Sequence, residues 1–316
     1  SYTGQMLVMT HVHIGNYGII EGESESKGPT LRALICRNYS GNQTDLRPGS
    51  QALDPWLSEA GVPVIYNIDT RALVRKLRRA GSLNALVSTE DLSEETRNTL
   101  LAQTPDMQGL ALVNEVTVSE PTDMSWPSAG PKIAVLDLGH KAAMLRLLTE
   151  RGARLRIFPA HTDSQEILAW EPDGFLITNG PGDPEPLQRV IETTRKLIAT
   201  DKPMLGICLG HQIIALAMGI PTYKMKHGHR GVNHPVLHLT TGRGEITSQN
   251  HGFAVDAEAL ARHPDMELTH RHLNDGTVAG MRHRSKPVFC VQYHPEAHPG
   301  PHDSRYLFDD FMDRLS

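Results

Sequence analysis

The stretch LGICLGHQ, residues 205–212, decides the fold of this chain. It ends one apolar run and precedes a second, and it carries Cys208 between two glycines. An apolar run, an abrupt turn and a further apolar run predict a strand, a sharp turn and a helix. Because ligands bind at the carboxyl ends of parallel strands, a cysteine at such a turn is predicted to be a reactive side chain.

The sequence before this turn repeats the same alternation. Strand patterns are followed by helical spacing four times, with strands predicted at 132–139, 154–160, 174–180 and 203–208. Successive βα units predict an α/β fold in which a mainly parallel sheet carries helices on both faces. After residue 222, shorter alternating runs predict additional strands that make the sheet mixed, and a last helix is predicted over 304–315.

The segment TVSEPTDMSWPSAGP, 117–131, contains three prolines and no sustained period, which is typical of a connection between domains. We therefore predict a smaller N-terminal α/β domain over 1–120, a linker over 121–131 and a larger domain over 132–316. In the N-terminal part a strand is predicted over 30–39. A helix is predicted over 69–81, with Asp69 as its N-cap and Gly81 just after its end.

The composition argues against several functional classes. The chain has 316 residues, a formal net charge of −5 and three cysteines that lie far apart. The lack of a basic excess predicts no nucleic-acid partner, and the lack of a run of ~18 apolar residues predicts no membrane span. Three separated cysteines do not form a disulfide framework, which favours a reducing, cytoplasmic setting. The first residues do not have the pattern of a signal peptide.

A base for Cys208 is predicted in the motif QYHPEAHPGPHD, 292–303, which follows a strand pattern. His294 and Glu296 are two residues apart and therefore face the same way in an extended chain. His294 is predicted to take the thiol proton and later protonate the leaving group, while Glu296 holds the imidazole tautomer. The helix N-terminus favours a thiolate on Cys208, and the backbone N–H of Leu209 is predicted to be an oxyanion donor.

Less specific interpretations are open for several other signals. The loop NGPGDP, 179–184, is either a turn or a second wall of the cysteine site. Cys36 and Cys290 are predicted to be small buried side chains. The histidines of KHGHRGVNHP and HPEAHPGPH suggest metal binding as an alternative. No set of them has a typical ligand spacing, so we predict no metal site.

Together these motifs resemble class I (triad) glutamine amidotransferases. The residues that carry the resemblance are GICLGHQ at 206–212, NGPGDP at 179–184 and HPE at 294–296. The resemblance implies that the cysteine attacks the side-chain amide of glutamine, that a thioester forms as ammonia leaves, and that water then releases glutamate. A C-terminal amidotransferase domain with a mixed, mainly parallel sheet flanked by helices is the implied fold.

Further stretches resemble carbamoyl-phosphate synthase small chains in particular, and they span both predicted domains. These stretches are SYTGQ at 1–5, HIGNYG at 13–18, NIDTRALVRKLRRAG at 67–81, MKHGHRGVNHPV at 225–236, SQNHGFAV at 248–255 and HPEAHPGPHDSRYLFDDF at 294–311. The family implies a partner, the large synthetase subunit, which takes up channelled ammonia and uses bicarbonate, ATP and Mg²⁺ to make carbamoyl phosphate for pyrimidines and arginine. No cofactor is implied for this chain itself.

Roles are carried over from this family by motif match. Cys208, His294 and Glu296 are implied as a Cys-His-Glu triad. The implied glutamine contacts are Ser1, Gly180, Gly182, Leu209, Gln212, Asn250, Gly252 and Phe253. Two features depart from the family pattern: the family has a further segment before the serine matched to Ser1, and Ala143 stands where the family has asparagine.

Two other functions are the alternatives. One is a glutaminase that feeds a different synthetase, and the N-terminal part of the sequence argues against it. The other is a non-catalytic partner protein with a degenerate site. The intact residues Cys208, His294 and Glu296 argue against that alternative.

Overall fold

The computed structural model describes residues 1–20, 22–43, 49–124 and 129–315. The chain forms two compact units, one of Tyr2–Gln108 and one of Gly109–Ser316 together with Ser1. Residues 125–128 of the predicted linker, and residue 316, lie outside the described residues. The predicted division into 1–120, 121–131 and 132–316 stays a prediction.

The unit Tyr2–Gln108 contains short strands and three described helices. Its strands are β1 (Met6–Val8), β2 (His13–Ile14), β3 (Ile19–Ile20), β4 (Ala33–Ile35), β5 (Asn38–Tyr39), β6 (Ser50–Gln51) and β7 (Val64–Ile65), and its helices are α1 (Leu53–Glu59), α2 (Thr70–Ala80) and α3 (Glu94–Gln103). Strands β1, β4 and β7 form a parallel sheet. The strand predicted over 30–39 is thus two short strands, β4 and β5, that pair with different neighbours.

The predicted limits of α2 are confirmed. The Asp69 carboxylate accepts a hydrogen bond from the backbone N–H of Ala72 at 2.9 Å, as an N-cap does. Gly81 follows the last helical residue with φ of 98°, in the left-handed region that glycine tolerates best. Two local signals, an N-cap and a terminal glycine, were therefore sufficient to bound this helix.

The larger unit contains a long sheet and six described α-helices. Its strands are β8 (Thr122–Met124), β9 (Lys132–Asp137), β10 (Arg154–Pro159), β11 (Gly174–Ile177), β12 (Met204–Ile207), β13 (Thr222–His238), β14 (Gly244–Val255), β15 (Met266–His272), β16 (Val278–His283) and β17 (Val288–Val291). Its helices are α4 (Ala142–Glu150), α5 (Ser164–Ala169), α6 (Gln188–Ile198), α7 (Leu209–Ala217), α8 (Ala257–Arg262) and α9 (Tyr306–Asp313), with a 3₁₀ turn at Leu112–Glu115. Strand β8 lies inside the segment predicted as a linker and pairs antiparallel with β10.

The ten strands form one mixed sheet in the order β14-β13-β15-β16-β17-β12-β11-β9-β10-β8. Strands β10, β9, β11, β12 and β17 are parallel to one another. Strands β13 to β16 extend the sheet beyond β17 as an antiparallel arm. The predicted fold class, a mixed sheet flanked by helices with a smaller α/β part before it, is confirmed.

Apolar side chains cover both faces of this sheet. Because successive residues of a strand point to opposite faces, Ala134 and Leu136 of β9 join one core with α6 and α7, while Ile133 and Val135 join another with α4 and α9. Both faces are therefore buried, as a parallel sheet requires. Strands β9, β11, β12 and β17 are neighbours, so their carboxyl ends lie side by side at one end of the sheet, where the turn at Cys208 lies.

Candidate active site

Cys208 occupies the sharp turn between β12 and α7. Its backbone has φ of 54° and ψ of −101°, and its N–H donates to the carbonyl of Val291 at 2.9 Å. A non-glycine residue at positive φ stores of order 1–3 kcal/mol of strain, and such residues concentrate at functional sites. The strained turn holds the sulfur at the N-terminus of α7, which is the geometry predicted for a nucleophile elbow.

The two glycines that flank this cysteine make room for the protein itself. A Cβ on Gly210 would lie 2.1 Å from the carbonyl oxygen of Ile177, and one on Gly206 would lie 2.5 Å from Cδ1 of Ile214. The structure gives these glycines a packing role, because α7 can approach β11 and β12 only when both positions lack a side chain.

His294 and Glu296 follow β17 and form a buried pair. His294 Nδ1 lies 2.7 Å from Oε1 of Glu296, and the two side chains are 5% and 0% exposed. A bridge to Ser248 of β14 fixes the backbone here, since the N–H of His294 donates to the Ser248 carbonyl at 2.9 Å. The Glu296 carboxylate accepts the Nδ1 proton, which leaves Nε2 as the basic nitrogen of a neutral imidazole.

The charges of this pair support each other. Burial opposes a charge on His294, but the Glu296 carboxylate and the Cys208 sulfur outweigh it and raise the His294 pKa to about 9. Burial likewise opposes a charge on Glu296, but His294 and Lys141 together hold its pKa below the usual value. The buried Glu296 carboxylate therefore stabilises the charged, imidazolium form of His294.

The Cys208 sulfur lies near enough to the His294 imidazole to raise the His294 pKa. Among the described residues, His294 Nε2 has no partner at normal hydrogen-bond distance, although it is buried. The Cys208 sulfur also lies 3.8 Å from the carbonyl oxygen of Asn250 on β14. A basic nitrogen beside a thiol, with no other partner competing for it, is the arrangement that proton transfer requires.

Lys141 is a charged site residue that the sequence analysis missed. Its ammonium lies 3.2 Å from Oε1 of Glu296 and donates to the carbonyl of Ala297. The turn before it is fixed by Asp137, whose carboxylate accepts hydrogen bonds from the backbone N–H groups of Gly139 and His140 at 2.9 Å each. Its position just after β9, at the same sheet edge, was the available signal.

The residues implied as glutamine contacts fall into three groups around the cysteine. Leu209 and Gln212 lie on the first turn of α7, and Asn250, Gly252 and Phe253 lie on β14. Gln212 already donates to the carbonyl of Phe253 at 2.9 Å and to the side chain of Gln292 at 3.0 Å. Its amide nitrogen thus ties α7 to β14, and its role toward glutamine stays a prediction.

The third group is the loop after β11 together with Ser1. Asn179 Nδ2 donates to the Ser1 hydroxyl at 3.3 Å and to the carbonyl of Gly139 at 3.0 Å. The Oδ1 atom of Asn179 is buried and has no partner among the described residues. Gly180 packs so closely that an added Cβ would lie 2.2 Å from the Leu138 carbonyl and 2.7 Å from the Leu209 side chain. The loop therefore packs closely against the start of α7, and its role toward substrate stays a prediction.

Comparison with known proteins decides the family. Residues 134–314 match the class-I glutamine amidotransferase family, and residues 1–87 match the CPSase domain of the carbamoyl-phosphate synthase small chain. The chain is 47% identical over 320 residues to the carbamoyl phosphate synthase small chain of Chlorobaculum tepidum, covering all of this chain and 87% of that one. The chain belongs to the carbamoyl-phosphate synthase small-chain family.

Other small chains of this family give similar values. The small chain of Thermosynechococcus vestitus is 44% identical over all of this chain and 85% of its own length. The pyrimidine-specific small chain of Lactiplantibacillus plantarum is 41% identical over all of this chain and 84% of its own length. A solved structure from Thermoplasma acidophilum, provisionally described as part of a GMP synthase, is similar with a TM-score of 0.51 and 27% identity, covering 59% of this chain and 94% of that one.

Other parts of the chain were also the subject of expectations. Cys36 and Cys290 are buried and form no disulfide bond, as predicted for small core side chains. Ala143, which replaces the small-chain family's asparagine, lies inside α4 and is fully buried. None of the helices described is both apolar enough and long enough to cross a bilayer.

Proposed function

We propose that this chain is the glutamine-hydrolysing subunit of a carbamoyl-phosphate synthase and that hydrolysis takes place at Cys208. Family membership over the whole chain supports the role of the subunit. The observation that carries the chemistry is the buried row of Cys208, His294 and Glu296, in which the His294 base faces the thiol and its other nitrogen is held by a carboxylate. That row is what nucleophilic catalysis by a thiol needs.

The first half of the reaction forms a thioester. The Cys208 thiol gives its proton to Nε2 of His294, and the thiolate attacks the side-chain amide carbon of glutamine. The negative charge moves to the amide oxygen, and we propose the backbone N–H of Leu209, at the start of α7, as its donor. The C–N bond then breaks, and His294 returns its proton to the leaving nitrogen, so ammonia departs and a glutamyl thioester remains.

The second half returns the enzyme to its starting state. His294, again neutral, takes a proton from water, and the hydroxide attacks the thioester carbon. The C–S bond breaks, the sulfur leaves as the thiolate and is reprotonated from His294, and glutamate is released. Glu296 stays ionised throughout and compensates for the charge on the imidazolium, and Lys141 helps to keep the carboxylate charged.

Substrate contacts are proposed from the three groups that surround the thiol. Gly180 and Gly182 of the loop after β11, together with Asn250, Gly252 and Phe253 of β14, offer backbone groups to the amide and to the α-amino and α-carboxylate groups of glutamine. Gln212 and Ser1 complete the proposed site. The support is the close approach of the Asn250 carbonyl to the sulfur and of Ser1 to Asn179.

We further propose that the ammonia passes to a large synthetase subunit, which would use bicarbonate, ATP and Mg²⁺. A cytoplasmic location is proposed with it, supported by three free cysteines.

The test begins with glutamine hydrolysis by the full chain. Cys208→Ser is expected to lower kcat about 10⁴-fold or more, because an alcohol is a much poorer nucleophile than a thiolate. A glutamine analogue that alkylates thiols should label the wild type at Cys208 and should still label the matched variant Cys36→Ala. Near-normal glutaminase activity in Cys208→Ser would overturn the assignment, and unlabelled Cys208 would favour a non-catalytic partner protein.

The partner is tested by adding a cognate large subunit with ATP and bicarbonate. We expect faster glutamine hydrolysis and formation of carbamoyl phosphate, since the family couples the two reactions. Hydrolysis that does not respond to the large subunit, while Cys208 remains labelled, would favour a glutaminase that feeds a different synthetase.

A further inference from the structure

A cluster of four histidines and one aspartate lies beside the candidate active site, on the antiparallel arm. The histidine cluster consists of His229 and His234 on β13, His251 on β14, His272 at the end of β15 and Asp275 in the following turn. The rings of His229 and His272 stack with centroids 4.0 Å apart. The proposed glutamine chemistry uses none of these five side chains.

One chain of hydrogen bonds in the histidine cluster starts at a backbone carbonyl. His251 Nδ1 lies 2.7 Å from the Phe253 carbonyl, which only accepts, so this nitrogen carries the proton. The other nitrogen of His251, Nε2, lies 2.9 Å from the side-chain oxygen of Gln249. His229 Nδ1 lies 3.1 Å from the same Nε2 atom. His251 therefore holds the Nδ1 side of the His229 ring, and Nε2 of His229 is the nitrogen that faces Asp275.

His234 holds the other ring of the cluster. Its Nδ1 atom lies 3.0 Å from Nε2 of His272. The backbone N–H of Asn274 donates to Nδ1 of His272 at 3.2 Å, so this nitrogen carries a lone pair and Nε2 carries the proton of the neutral ring.

Both rings face the same carboxylate. His229 Nε2 lies 2.7 Å from Oδ2 of Asp275, and His272 Nδ1 lies 3.2 Å from its Oδ1. The lone pair of His272 Nδ1 and the carboxylate oxygen repel each other at this distance unless positive charge lies beside them. Two imidazole nitrogens and one carboxylate therefore converge on a point that favours a cation, either a proton on His229 or a metal ion.

We propose that this point is a binding site for a zinc ion, held by His229 Nε2, His272 Nδ1 and a carboxylate oxygen of Asp275. The three ligand atoms lie within 4.8 Å of one another, and no other such set of three is present in the described ranges. Two imidazoles and one carboxylate suit Zn²⁺ better than Mg²⁺ or Ca²⁺, which prefer oxygen ligands only. Asp275 is 39% exposed, so the ion has a route from solvent and a position for a bound water.

The surroundings complete the pattern expected of a metal site. His251 and His234 hold the second nitrogen of each ligand ring, which is how outer partners usually fix the orientation of ligating histidines. Strands β13 and β14 pair at His229 and His251, between two shifts of register. A bound ion would therefore join this irregular part of β13 to the turn after β15, next to Asn250 and Gly252 of the proposed glutamine site.

The experiment measures Zn²⁺ binding to the full chain by competition with a chelator of known zinc affinity. Cys208→Ser serves as the parent protein, so that the active-site thiol is not a competing ligand. We expect one equivalent of Zn²⁺. Asp275→Asn keeps the shape of the side chain and should weaken Zn²⁺ binding by at least 10–100-fold, the loss typical when a residue that only hydrogen-bonds a metal ligand is replaced. His272→Ala should weaken Zn²⁺ binding by a similar factor. Co²⁺ should give the visible bands of a four-coordinate ion in the parent but not in these two variants.

His238→Ala is the matched control, because it also removes one histidine from β13. Its ring contacts His270 at 4.4 Å but belongs to no set of three ligands among the described residues. It should bind Zn²⁺ as the parent does. Zinc at 100 times the Kd of the parent should also shift the folding equilibrium of the parent ~100-fold, but that of Asp275→Asn by no more than about tenfold. Equal zinc affinity in the parent and Asp275→Asn, or no binding in competition with the chelator, would overturn the proposal and leave a proton between His229 and Asp275.

Discussion

The most informative single change is Glu296→Gln, which removes one charge and keeps the shape of the side chain. Glu296 is fully buried, 2.7 Å from His294 Nδ1 and 3.2 Å from the Lys141 ammonium. Against the cost of burial, its charge is the largest favourable contribution to a His294 pKa of about 9, compared with 6.5 for a free imidazole. At 1.36 kcal/mol per pKa unit, that rise amounts to about 3 kcal/mol in favour of the imidazolium.

The loss in rate follows from this energy. If the glutamine oxygen still accepts from Nδ1, only the charge is lost, and kcat for glutamine hydrolysis should fall about 100-fold. If the amide nitrogen donates to Nδ1 instead, the tautomer is reversed and Nε2 can no longer take the thiol proton. The loss then approaches the ~10⁴-fold seen when the orienting acid of a serine protease triad becomes an amide. We therefore expect a loss of about 10²–10⁴-fold in kcat.

The assay is steady-state glutamine hydrolysis with a parallel measurement of the rate at which a glutamine analogue alkylates Cys208. Both rates should fall together, because both need the thiolate that His294 creates. Glu245→Gln is the matched control: it is also a buried glutamate, bonded to Ser304 and Tyr306 at 2.8 Å each, but it has no contact with His294 among the described bonds. A loss of less than about tenfold in Glu296→Gln would refute this account of the base.

Three further predictions concern stability. The His294 pKa is raised on folding from 6.5 to about 9, so its contribution to the free energy of unfolding is complete below pH 6.5 and is lost as pH rises through about 9. Denaturant titrations over that pH range should show a smaller loss of stability in Glu296→Gln than in the wild type. Equal losses would contradict the coupling between His294 and Glu296. Gly210→Ala should lower the free energy of unfolding in urea by about 1–3 kcal/mol, because its Cβ would lie 2.1 Å from the Ile177 carbonyl oxygen. Gly244→Ala has open space around it and should change the free energy of unfolding by less than about 0.5 kcal/mol. Similar values for the two variants would count against the close approach of Gly210 to Ile177. Tyr306→Phe should lower the free energy of unfolding by about 1–3 kcal/mol, because buried Glu245 loses a hydrogen-bond donor at 2.8 Å. Tyr223→Phe, at a position 44% exposed, should leave the free energy of unfolding nearly unchanged. An unchanged stability in Tyr306→Phe would show that the Tyr306–Glu245 hydrogen bond contributes nothing.

The βα part of the fold was predictable because its signals are local. Each strand from β9 to β12 is a short apolar run, and each helix after it carries its own spacing of apolar residues. Strand β13 gave no such signal. Its middle is rich in glycine and histidine, and its pairing with β14 shifts register after Lys224 and again after Gly231, so side chains do not alternate regularly.

The candidate site divides in the same way. Cys208, His294 and Glu296 each lie at the end of a predicted strand, and family motifs mark them. The charge of Lys141 on Glu296 and the carbonyl of Asn250 beside the sulfur arise only when distant segments meet. The predicted absence of a metal site relied on ligand spacing along one element. In the histidine cluster, His229 comes from one strand, His272 from the end of another and Asp275 from a turn. Their spacing in the sequence therefore does not predict that they lie together.

The order of strands in the sheet has a consequence for how activity first arises during synthesis. Strand β17, which leads to His294, inserts between β12 and β16, although β13 to β16 are made before it. A growing chain on the ribosome therefore carries Cys208 at an unfinished edge, with neither a base nor a carboxylate beside it. If the proposed site is correct, such a chain cannot cleave glutamine, and ammonia is not released before β17 and the residues His294 and Glu296 that follow it have been made. The same delay leaves β12 without its neighbour β17, and an unpaired strand edge can pair with other chains.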